Sequence, residues 1–462
     1  MIVSFSVSNF RSFLSDETFS LVASKRLSGA HEDHTFPIPG TPEQVLRTGV
    51  IYGANGAGKS NLFKALEFVR TVAVRARKKN SGTGREAFRF SSSLEAPSSF
   101  DLRFIVGEKL YTFGFKATDQ QITEEWLLEM VGSRERVIYE RSTDEEGKVT
   151  IDFKASKDTG EKLKALATVG GPQNQSFLAT IGITLEASDY GEELSAIIEW
   201  FADLRLRSPE SSVASLGHSL ADDSAFNKFA GDFLRSSSTG VDHLQVVKTE
   251  IPENELRNLI PEKVLTAVLQ GMGKDGADFA SIENESAEFL IEHTDKNRYY
   301  RLSIEAAHEH TPGKAVSLEL SKESDGTRRL LNLVPALYDL TVASGVYFID
   351  EIDRSLHPIL IWKFLEYFLK SCKTGHQQVI VTTHESNLLD LNLLRRDEIW
   401  FAEKDDKGAT RLYSLSDFKI RKDLEIRKHY LQGRFGAVPF LGGLDRLLEE
   451  QNRSHESCPT EA

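Results

Sequence analysis

Hydrophobic and polar residues alternate at the start of the chain and predict a β-strand there. Val3, Phe5 and Val7 alternate with serines, which is the period of a half-buried strand. A second apolar run, at 50–52, stops at a glycine-rich loop and predicts a buried strand. The helix that we expect after this loop has one apolar stripe, which consists of Leu62, Leu66, Val69 and Val72.

Further along, the same patterns predict a β-meander and then a change of structure. The alternating runs 100–104 and 111–115 predict a hairpin, and the runs 137–139 and 149–153 extend it. Residues 186–280 differ, because helical patches are separated there by loops rich in serine and glycine. We therefore expect a β-lobe followed by a largely helical segment.

From residue 315 onwards, strand and helix patterns follow one another in turn. We expect strands at 316–320, 346–349 and 379–382, a helix after Gly326, and another helix at 359–371. Strands that alternate with helices at this spacing indicate an α/β sheet. The helical segment before them then reads as an insertion in that sheet.

Charge and composition restrict the class of protein. The 462 residues carry a net charge of −13, which argues against DNA binding by the whole surface, because such binding depends on neutralising phosphates. One local group is basic, and it consists of Arg70, Arg75, Arg77, Lys78, Lys79 and Arg85. These side chains either complement a helix end and solvate a loop or contact nucleic acid, and the first alternative is favoured.

The sequence also indicates a cytoplasmic protein. The N-terminus lacks the basic region of a signal peptide, and no apolar run approaches the roughly 18 residues that cross a bilayer. Cys372 and Cys458 are the only cysteines, too few for a disulfide framework or a cysteine-based zinc site. We therefore expect a cytoplasmic location and no membrane partner.

The glycine-rich loop carries the strongest chemical signal. Its sequence GANGAGKS fits G-x-x-x-x-G-K-[ST] and lies between a predicted strand and a predicted helix, which is the context that the motif needs. In such loops backbone N–H groups face phosphates, the lysine reaches the β- and γ-phosphates, and the serine offers its hydroxyl to Mg²⁺. We therefore expect ATP and Mg²⁺ to bind at Gly53, Asn55, Gly56, Ala57, Gly58, Lys59, Ser60 and Asn61.

Two later strands end in residues that suit phosphate chemistry. One is followed by Asp350, which with Ser60 is a candidate Mg²⁺ ligand, and by Glu351, a candidate general base for the attacking water. The other ends beside His384, which is predicted to hydrogen-bond the γ-phosphate. Because the carboxyl ends of parallel strands share one edge of a sheet, we expect Gly53, Asp350 and His384 to line one crevice.

The order of these motifs resembles that of ABC-type ATPase heads, and within them the RecF/SMC-related branch. VSNFRSF at 7–13 resembles the first strand of that branch, ESDGTRRLL at 323–331 its signature motif, and FIDEIDRSLHP at 348–358 its joined Walker B motif and D-loop. GRFGAVPFL at 433–441 resembles the C-terminal end of a bacterial subgroup of RecF-like AAA proteins, many of them encoded in anti-phage defence loci. The resemblance covers 1–185 and 310–441.

The resemblance implies a shared nucleotide site between two copies of the chain. In ABC-type heads the signature helix binds the γ-phosphate of a nucleotide held by the opposite subunit. This role would fall to Ser324, Asp325, Gly326 and Thr327, and the D-loop, Ser355, Leu356 and His357, would lie across the same interface. Asp325 departs from the transporter pattern Leu-Ser-Gly-Gly-Gln, and an acid beside a phosphate is unfavourable unless it is turned away.

The predicted fold class is α/β, a P-loop NTPase with an ABC-ATPase-like head, a β-meander lobe and a mostly helical insertion. Residues 1–185 would form the N-terminal part of the head, and 186–305 the insertion. Residues 306–445 would form the C-terminal part of the head, and 446–462 a disordered tail.

The resemblance implies an ATP-hydrolysing switch as the function. ATP would close a head-to-tail dimer, hydrolysis would open it, and the insertion would pass the change to an effector such as a toxin or nuclease encoded nearby in an anti-phage system. The alternative is a RecF-like DNA-repair clamp that binds DNA when ATP is bound, which would need a basic inner face on the dimer. A transporter ATPase is disfavoured, because the insertion is long and the signature is altered.

Overall fold

The computed structural model of the protein describes residues 1–78, 81–90, 94–132, 134–154, 160–209, 216–275, 279–283, 288–292, 298–311, 314–372, 375–419 and 425–438. The predicted tail 446–462, Lys79 and the end of the segment 433–441 lie outside these residues. The chain divides into two compact units. The first unit consists of Met1–Arg207, Gly345–Ile352 and Lys373–Ala462, and the second unit of Ser208–Ser344 and Asp353–Cys372.

The strands of the described residues are β1 (Ile2–Ser8), β2 (Glu17–Ser20), β3 (Thr35–Pro37), β4 (Gln44–Leu46), β5 (Thr48–Tyr52), β6 (Ser98–Val106), β7 (Lys109–Ala117), β8 (Ile122–Val131), β9 (Arg134–Thr143), β10 (Val149–Phe153), β11 (Arg205–Arg207), β12 (His243–Ile251), β13 (Phe279–Glu283), β14 (Glu288–Glu292), β15 (Arg298–Thr311), β16 (Lys314–Glu319), β17 (Gly345–Ile349), β18 (Gln377–Thr383), β19 (Ile399–Lys404) and β20 (Thr410–Ser414). The α-helices of the same residues are α1 (Lys59–Val74), α2 (Glu161–Val169), α3 (Phe177–Thr184), α4 (Ala187–Ala202), α5 (Leu216–Asp222), α6 (Ser224–Ser236), α7 (Glu253–Leu259), α8 (Glu262–Asp275), α9 (Asp325–Val342), α10 (Pro358–Ser371) and α11 (Ile426–Leu431).

The first unit contains a largely parallel sheet with the strand order β11-β17-β18-β5-β19-β20 in the described chain. All neighbours in it are parallel except the edge pair β19 and β20. Strand β5 thus lies inside the sheet, and its residues are buried without interruption, as expected for a parallel strand covered on both faces. The predicted strands at 50–52, 346–349 and 379–382 are confirmed.

A second, antiparallel sheet of the first unit is the predicted β-meander, in the order β10-β9-β8-β7-β6-β1-β2 among the described strands. Its hairpin pairs Phe100 with Phe115 and Phe104 with Tyr111. One core cluster joins this sheet, α1 and the parallel sheet. The apolar stripe predicted for α1 is buried in that cluster, so the hydrophobic pattern correctly predicted which face of the helix is buried.

The second unit has its own mixed structure. Strands β12, β15, β14 and β13 form an antiparallel sheet in that order, with β16 beside β15, and helix α6 packs on β12 and α9. The stretch 186–305, predicted to be mostly helical, therefore contains strands as well as helices, because the alternating residues before 305 form the long strand β15. The predicted segment boundaries remain predictions, since the compact units divide the chain at other positions.

Gln378, in β18, connects the parallel sheet of the first unit to its antiparallel sheet. Its side chain is fully buried. The Oε1 atom accepts a hydrogen bond from the Ile2 N–H at 2.7 Å, and Nε2 donates to the carbonyl oxygens of Ile2 at 2.9 Å and Leu46 at 2.8 Å. One amide thus satisfies three buried backbone groups on two other segments.

We expect Gln378→Leu to destabilise the first unit by about 2–4 kcal/mol, because it leaves those backbone groups without their partner. Chemical unfolding followed by circular dichroism measures the change. Gln120→Leu, in an exposed turn, is the matched control. Equal unfolding midpoints for the two variants would contradict the connecting role of Gln378.

Candidate functional site

The candidate site lies at the carboxyl-terminal edge of the parallel sheet in the first unit. Strand β18 is in register with β5 on one side, where Thr383 is opposite Tyr52, and with β17 on the other, where Val381 is opposite Ile349. The residues that follow these three strands therefore leave the sheet at the same edge. The fold therefore brings the P-loop, the two acids and His384 to the same edge of the parallel sheet.

The backbone of the P-loop is closely packed at two of its glycines. Gly58 has a φ of 110°, and a Cβ atom there would lie 2.0 Å from Thr410 Oγ1. A Cβ atom on Gly53 would lie 2.5 Å from the carbonyl oxygen of Ala402. Side chains are excluded at both positions, so the motif's glycines are required by the fold of this loop.

Two polar residues behind the loop were missed by the sequence analysis. Thr410 Oγ1 lies 2.9 Å from the carbonyl oxygen of Ala57 and 2.7 Å from Ser12 Oγ. Ser12 Oγ in turn accepts a hydrogen bond from Asn61 Nδ2 at 2.8 Å. These contacts hold the loop at Ala57 and the start of helix α1 at Asn61. No local pattern points to Thr410, because it lies 398 residues from Ser12.

Lys59 begins helix α1 and is buried, with its ammonium group turned into the loop. Nζ donates to the carbonyl oxygens of Gly53 at 2.9 Å and Ala54 at 3.2 Å. It also lies 3.1 Å from Nε2 of His384, which follows β18. Two residues that were predicted to meet a γ-phosphate are therefore in direct contact.

The two acids after β17 are held by a single hydroxyl group. Asp350 is 4% exposed, and its Oδ1 accepts a hydrogen bond of 2.5 Å from Thr382 Oγ1. The same oxygen of Thr382 accepts a hydrogen bond of 2.8 Å from the N–H of Glu351. Glu351 has a left-handed backbone with a φ of 47°, a costly conformation for a non-glycine residue that is common where chemistry is done. Thr382 also escaped the sequence analysis, although it stands two residues before His384.

These residues are suited to bind a nucleoside triphosphate together with a divalent cation. The N-terminus of α1, the glycine backbone and the Lys59 ammonium group provide positive potential and N–H donors for phosphate. The carboxylate of Asp350 and the hydroxyl of Ser60 are oxygen ligands of the kind that Mg²⁺ prefers. The donor set therefore agrees with the cofactors that the P-loop motif predicted.

The signature and D-loop residues lie in the second unit. Ser324 caps helix α9, where its Oγ accepts a hydrogen bond of 3.1 Å from the N–H of Thr327, and it remains exposed. The side chain of Asp325 pairs with Arg328 one turn along the helix, so this extra acid has a cationic partner. The backbone of the D-loop passes close to the start of the helix, since a Cβ atom on Gly326 would lie 3.0 Å from the carbonyl oxygen of Ser355.

The rest of the D-loop leads into helix α10. Leu356 packs against the core cluster of the second unit. His357 caps α10 through its Nδ1, which accepts a hydrogen bond of 3.3 Å from the N–H of Ile359. The signature and the D-loop are thus brought together within one unit.

Two members of the basic group are engaged inside the protein. Arg85 donates to Asp119 at 2.6 Å and to the carbonyl oxygens of Ala96 and Leu94 at 2.6 Å each. Arg70 donates to the backbone of Phe201 at 3.2 Å and Ala202 at 3.0 Å. These two arginines therefore have protein partners within the first unit.

Membrane insertion through a helix finds no support in the described chain, where no helix is both long enough and apolar enough to span a bilayer.

Comparison with known proteins gives one family and several solved structures. Among solved structures, the SMC head domain from Thermotoga maritima is 12% identical with a TM-score of 0.38, and the alignment covers 91% of this chain and 99% of that one. An Smc head with an extended coiled coil, bound to the C-terminal domain of ScpA derived from Pyrococcus furiosus, is 13% identical with a TM-score of 0.37, at 89% and 96% coverage. No curated protein matches the sequence. The family described as "AAA domain, putative AbiEii toxin, Type IV TA system" matches residues 50–390, from the P-loop strand to beyond His384. The chain therefore belongs to this AAA-domain family of nucleotide-binding P-loop ATPases.

Proposed function

We propose that the protein binds and hydrolyses ATP, and that nucleotide drives the closing and opening of a dimer of this chain. The observation that carries the proposal is the meeting of Lys59, Asp350 and His384 at one edge of the parallel sheet. The family match over residues 50–390 supports it independently.

Within the first unit, each residue has a chemical task in this proposal. Lys59 would bind the β- and γ-phosphates, and Ser60 and Asp350 would hold Mg²⁺, which would supply positive charge to the phosphates. Glu351 accepts the proton of the attacking water. Thr382 is a positioning residue, because it fixes the carboxylate of Asp350 and the backbone of Glu351 with one hydroxyl.

The second unit supplies the part of the site that acts on another copy. Helix α9 presents an exposed N-terminus at Ser324, and a helix N-terminus attracts phosphate through its free N–H groups and its dipole. Asp325 opposes such binding less than an isolated acid would, because Arg328 compensates its charge. The D-loop at Ser355 adjoins the same helix start, which supports its role at the same interface.

We propose that the switch controls an effector protein. The description of the family, "putative AbiEii toxin, Type IV TA system", links the family to toxin–antitoxin systems, and a nucleotide-driven dimer suits the regulation of toxicity in such a system. A ligand shifts a two-state equilibrium by its differential affinity, and about 5.5 kcal/mol moves it from 1:99 to 99:1. Two shared ATP sites in one dimer are suited to supply that difference. A DNA clamp has weaker support, since the charge is −13 and Arg70 and Arg85 have protein partners.

We expect Lys59→Ala to weaken ATP binding by about 10- to 100-fold, because hydrogen bonds to a charged group contribute about 1.5–3 kcal/mol each. Isothermal titration calorimetry measures the affinity. Lys64→Ala, on the exposed face of the same helix, is the control and should bind ATP as the wild type does. Unchanged affinity in Lys59→Ala would refute the P-loop assignment.

We expect Thr382→Val to lower ATP turnover by roughly 10- to 100-fold and to leave ATP affinity nearly unchanged, because it removes only the group that orients the acids. The Mg²⁺ concentration for half-maximal turnover should rise as well. Thr382→Ser keeps the hydroxyl and should restore both values. Wild-type turnover in Thr382→Val would show that the acids need no such support.

We expect Glu351→Gln to bind ATP but to lose roughly 100-fold or more in turnover, and to accumulate as a closed dimer. Light scattering with and without ATP measures the mass. The double variant Glu351→Gln/Ser324→Arg should stay monomeric in the presence of ATP and should still bind the nucleotide. Ser236→Arg, at an exposed position of the second unit, is the control for the added charge.

The possible outcomes separate the parts of this proposal. ATP binding without any change of mass would refute the shared site but leave the P-loop assignment intact. Loss of ATP binding in the monomeric Ser324→Arg variant would mean that the signature acts on nucleotide in its own chain. DNA binding that weakens steeply with salt would favour the clamp instead.

A further inference from the structure

A cluster of potential metal ligands lies in the loop before β3, outside every motif of the nucleotide site. It consists of His31, Asp33 and His34, whose ligand atoms all lie within 4.8 Å of one another. The two imidazole rings lie 4.7 Å apart between centroids, and their planes are inclined by 29°. His34 is buried, and Asp33 is exposed. Two imidazoles and a carboxylate thus lie close together in the first unit.

The hydrogen bonds of the two histidines leave one nitrogen of each ring for a ligand. Nε2 of His31 lies 2.9 Å from the carbonyl oxygen of Leu391. A carbonyl oxygen only accepts, so this nitrogen carries the hydrogen and Nδ1 keeps its lone pair. Nδ1 of His34 lies 2.9 Å from Oε1 of the buried Glu398, which leaves Nε2 of His34 free to coordinate. Metal-binding histidines nearly always donate their other N–H to a carboxylate or a carbonyl in this way.

Glu398, which contacts His34, is part of a hydrogen-bonded segment before β19. The backbone N–H of Arg395 donates to Glu398 Oε2 at 2.7 Å, and the Arg395 guanidinium donates to the carbonyl oxygen of Ala30 at 2.5 Å. Asp397 accepts two hydrogen bonds from that guanidinium and one from the N–H of Ser24. The segment before β19 therefore holds the histidine loop at several points, which fixes ligands before an ion arrives.

We propose that His31, Asp33 and His34 bind a divalent transition-metal ion such as Zn²⁺. Two imidazoles and one carboxylate suit a borderline cation, whereas Mg²⁺ and Ca²⁺ prefer oxygen ligands only. Metal–ligand distances of about 2.0–2.2 Å keep two ligand atoms within about 4.4 Å of each other, so atoms separated by up to 4.8 Å must approach when the ion binds. The exposed Asp33 side chain is able to approach the two imidazoles. With three protein ligands the ion keeps a position for water, and the hydrogen bonds of its two histidines to Leu391 and Glu398 connect it to the segment that precedes β19.

The test uses the full untagged chain, treated with a chelator and kept in excess Mg²⁺ so that the nucleotide site does not bind the probe. Co²⁺ and Zn²⁺ are titrated in turn, with the visible absorption of Co²⁺ and the metal content after dialysis as readouts. We expect one ion per chain and a higher unfolding temperature with Zn²⁺. His31→Gln and Asp33→Asn should each weaken binding by at least about 10-fold and abolish the thermal shift.

The matched control is His243→Gln, which removes an exposed histidine that contacts Asp242 in the second unit. It should bind the ion as the wild type does. Binding that persists undiminished in both His31→Gln and Asp33→Asn would overturn the proposal, and so would a wild type that retains no ion after dialysis. Both changed side chains reach solvent, and circular dichroism verifies that the variants are folded.

Discussion

The candidate nucleotide site depends on the position of β18 between β5 and β17. Strand β18 forms parallel ladders with both neighbours, although β5 lies more than 300 residues before it in the chain. Parallel strands in register end at one edge, so the P-loop after β5 and the acids after β17 converge on the end of β18. That end carries Thr382 and His384, which contact the acids and Lys59 respectively. Disturbing β18 would therefore separate the lysine from the acids.

Local sequence patterns were sufficient to predict the strands and helices around the candidate site and the residues proposed to contact the nucleotide. The P-loop is recognised because its glycines, Lys59 and Ser60 are contiguous, and the buried strands because their apolar runs are uninterrupted. Thr382, Ser12 and Thr410 were missed for a common reason. Each acts through a partner that is distant in sequence, and threonines and serines in strands and loops have many ordinary uses. The role of such a hydroxyl group can be recognised only when the structure shows which groups it contacts.

The division into units was harder to predict than the motifs. The boundary between Ile352 and Asp353 falls inside FIDEIDRSLHP, so that the acids belong to the first unit and the D-loop to the second. Residues with left-handed backbone stand on either side of it, Glu351 with a φ of 47° and Ser355 with a φ of 62°. Sequence patterns indicate helices and strands, and the boundary lies in the turn between β17 and α10, where no such pattern marks it. The unit boundary instead reflects tertiary packing, which brings 353–372 together with 208–344.

The surroundings of Lys59 bear on how nucleotide affinity arises. Its ammonium group already has two carbonyl partners and His384, so binding a phosphate exchanges partners for this side chain. The gain from the lysine is then the difference between two sets of charged hydrogen bonds, each set contributing about 1.5–3 kcal/mol per bond. The loop backbone, by contrast, is held by the contact of Thr410 with Ala57 and by that of Ser12 with Asn61, and therefore loses little conformational entropy when nucleotide binds. His384 contacts Lys59, and Thr382, two residues before it, contacts Asp350 and Glu351, so the end of β18 links the lysine to the acids.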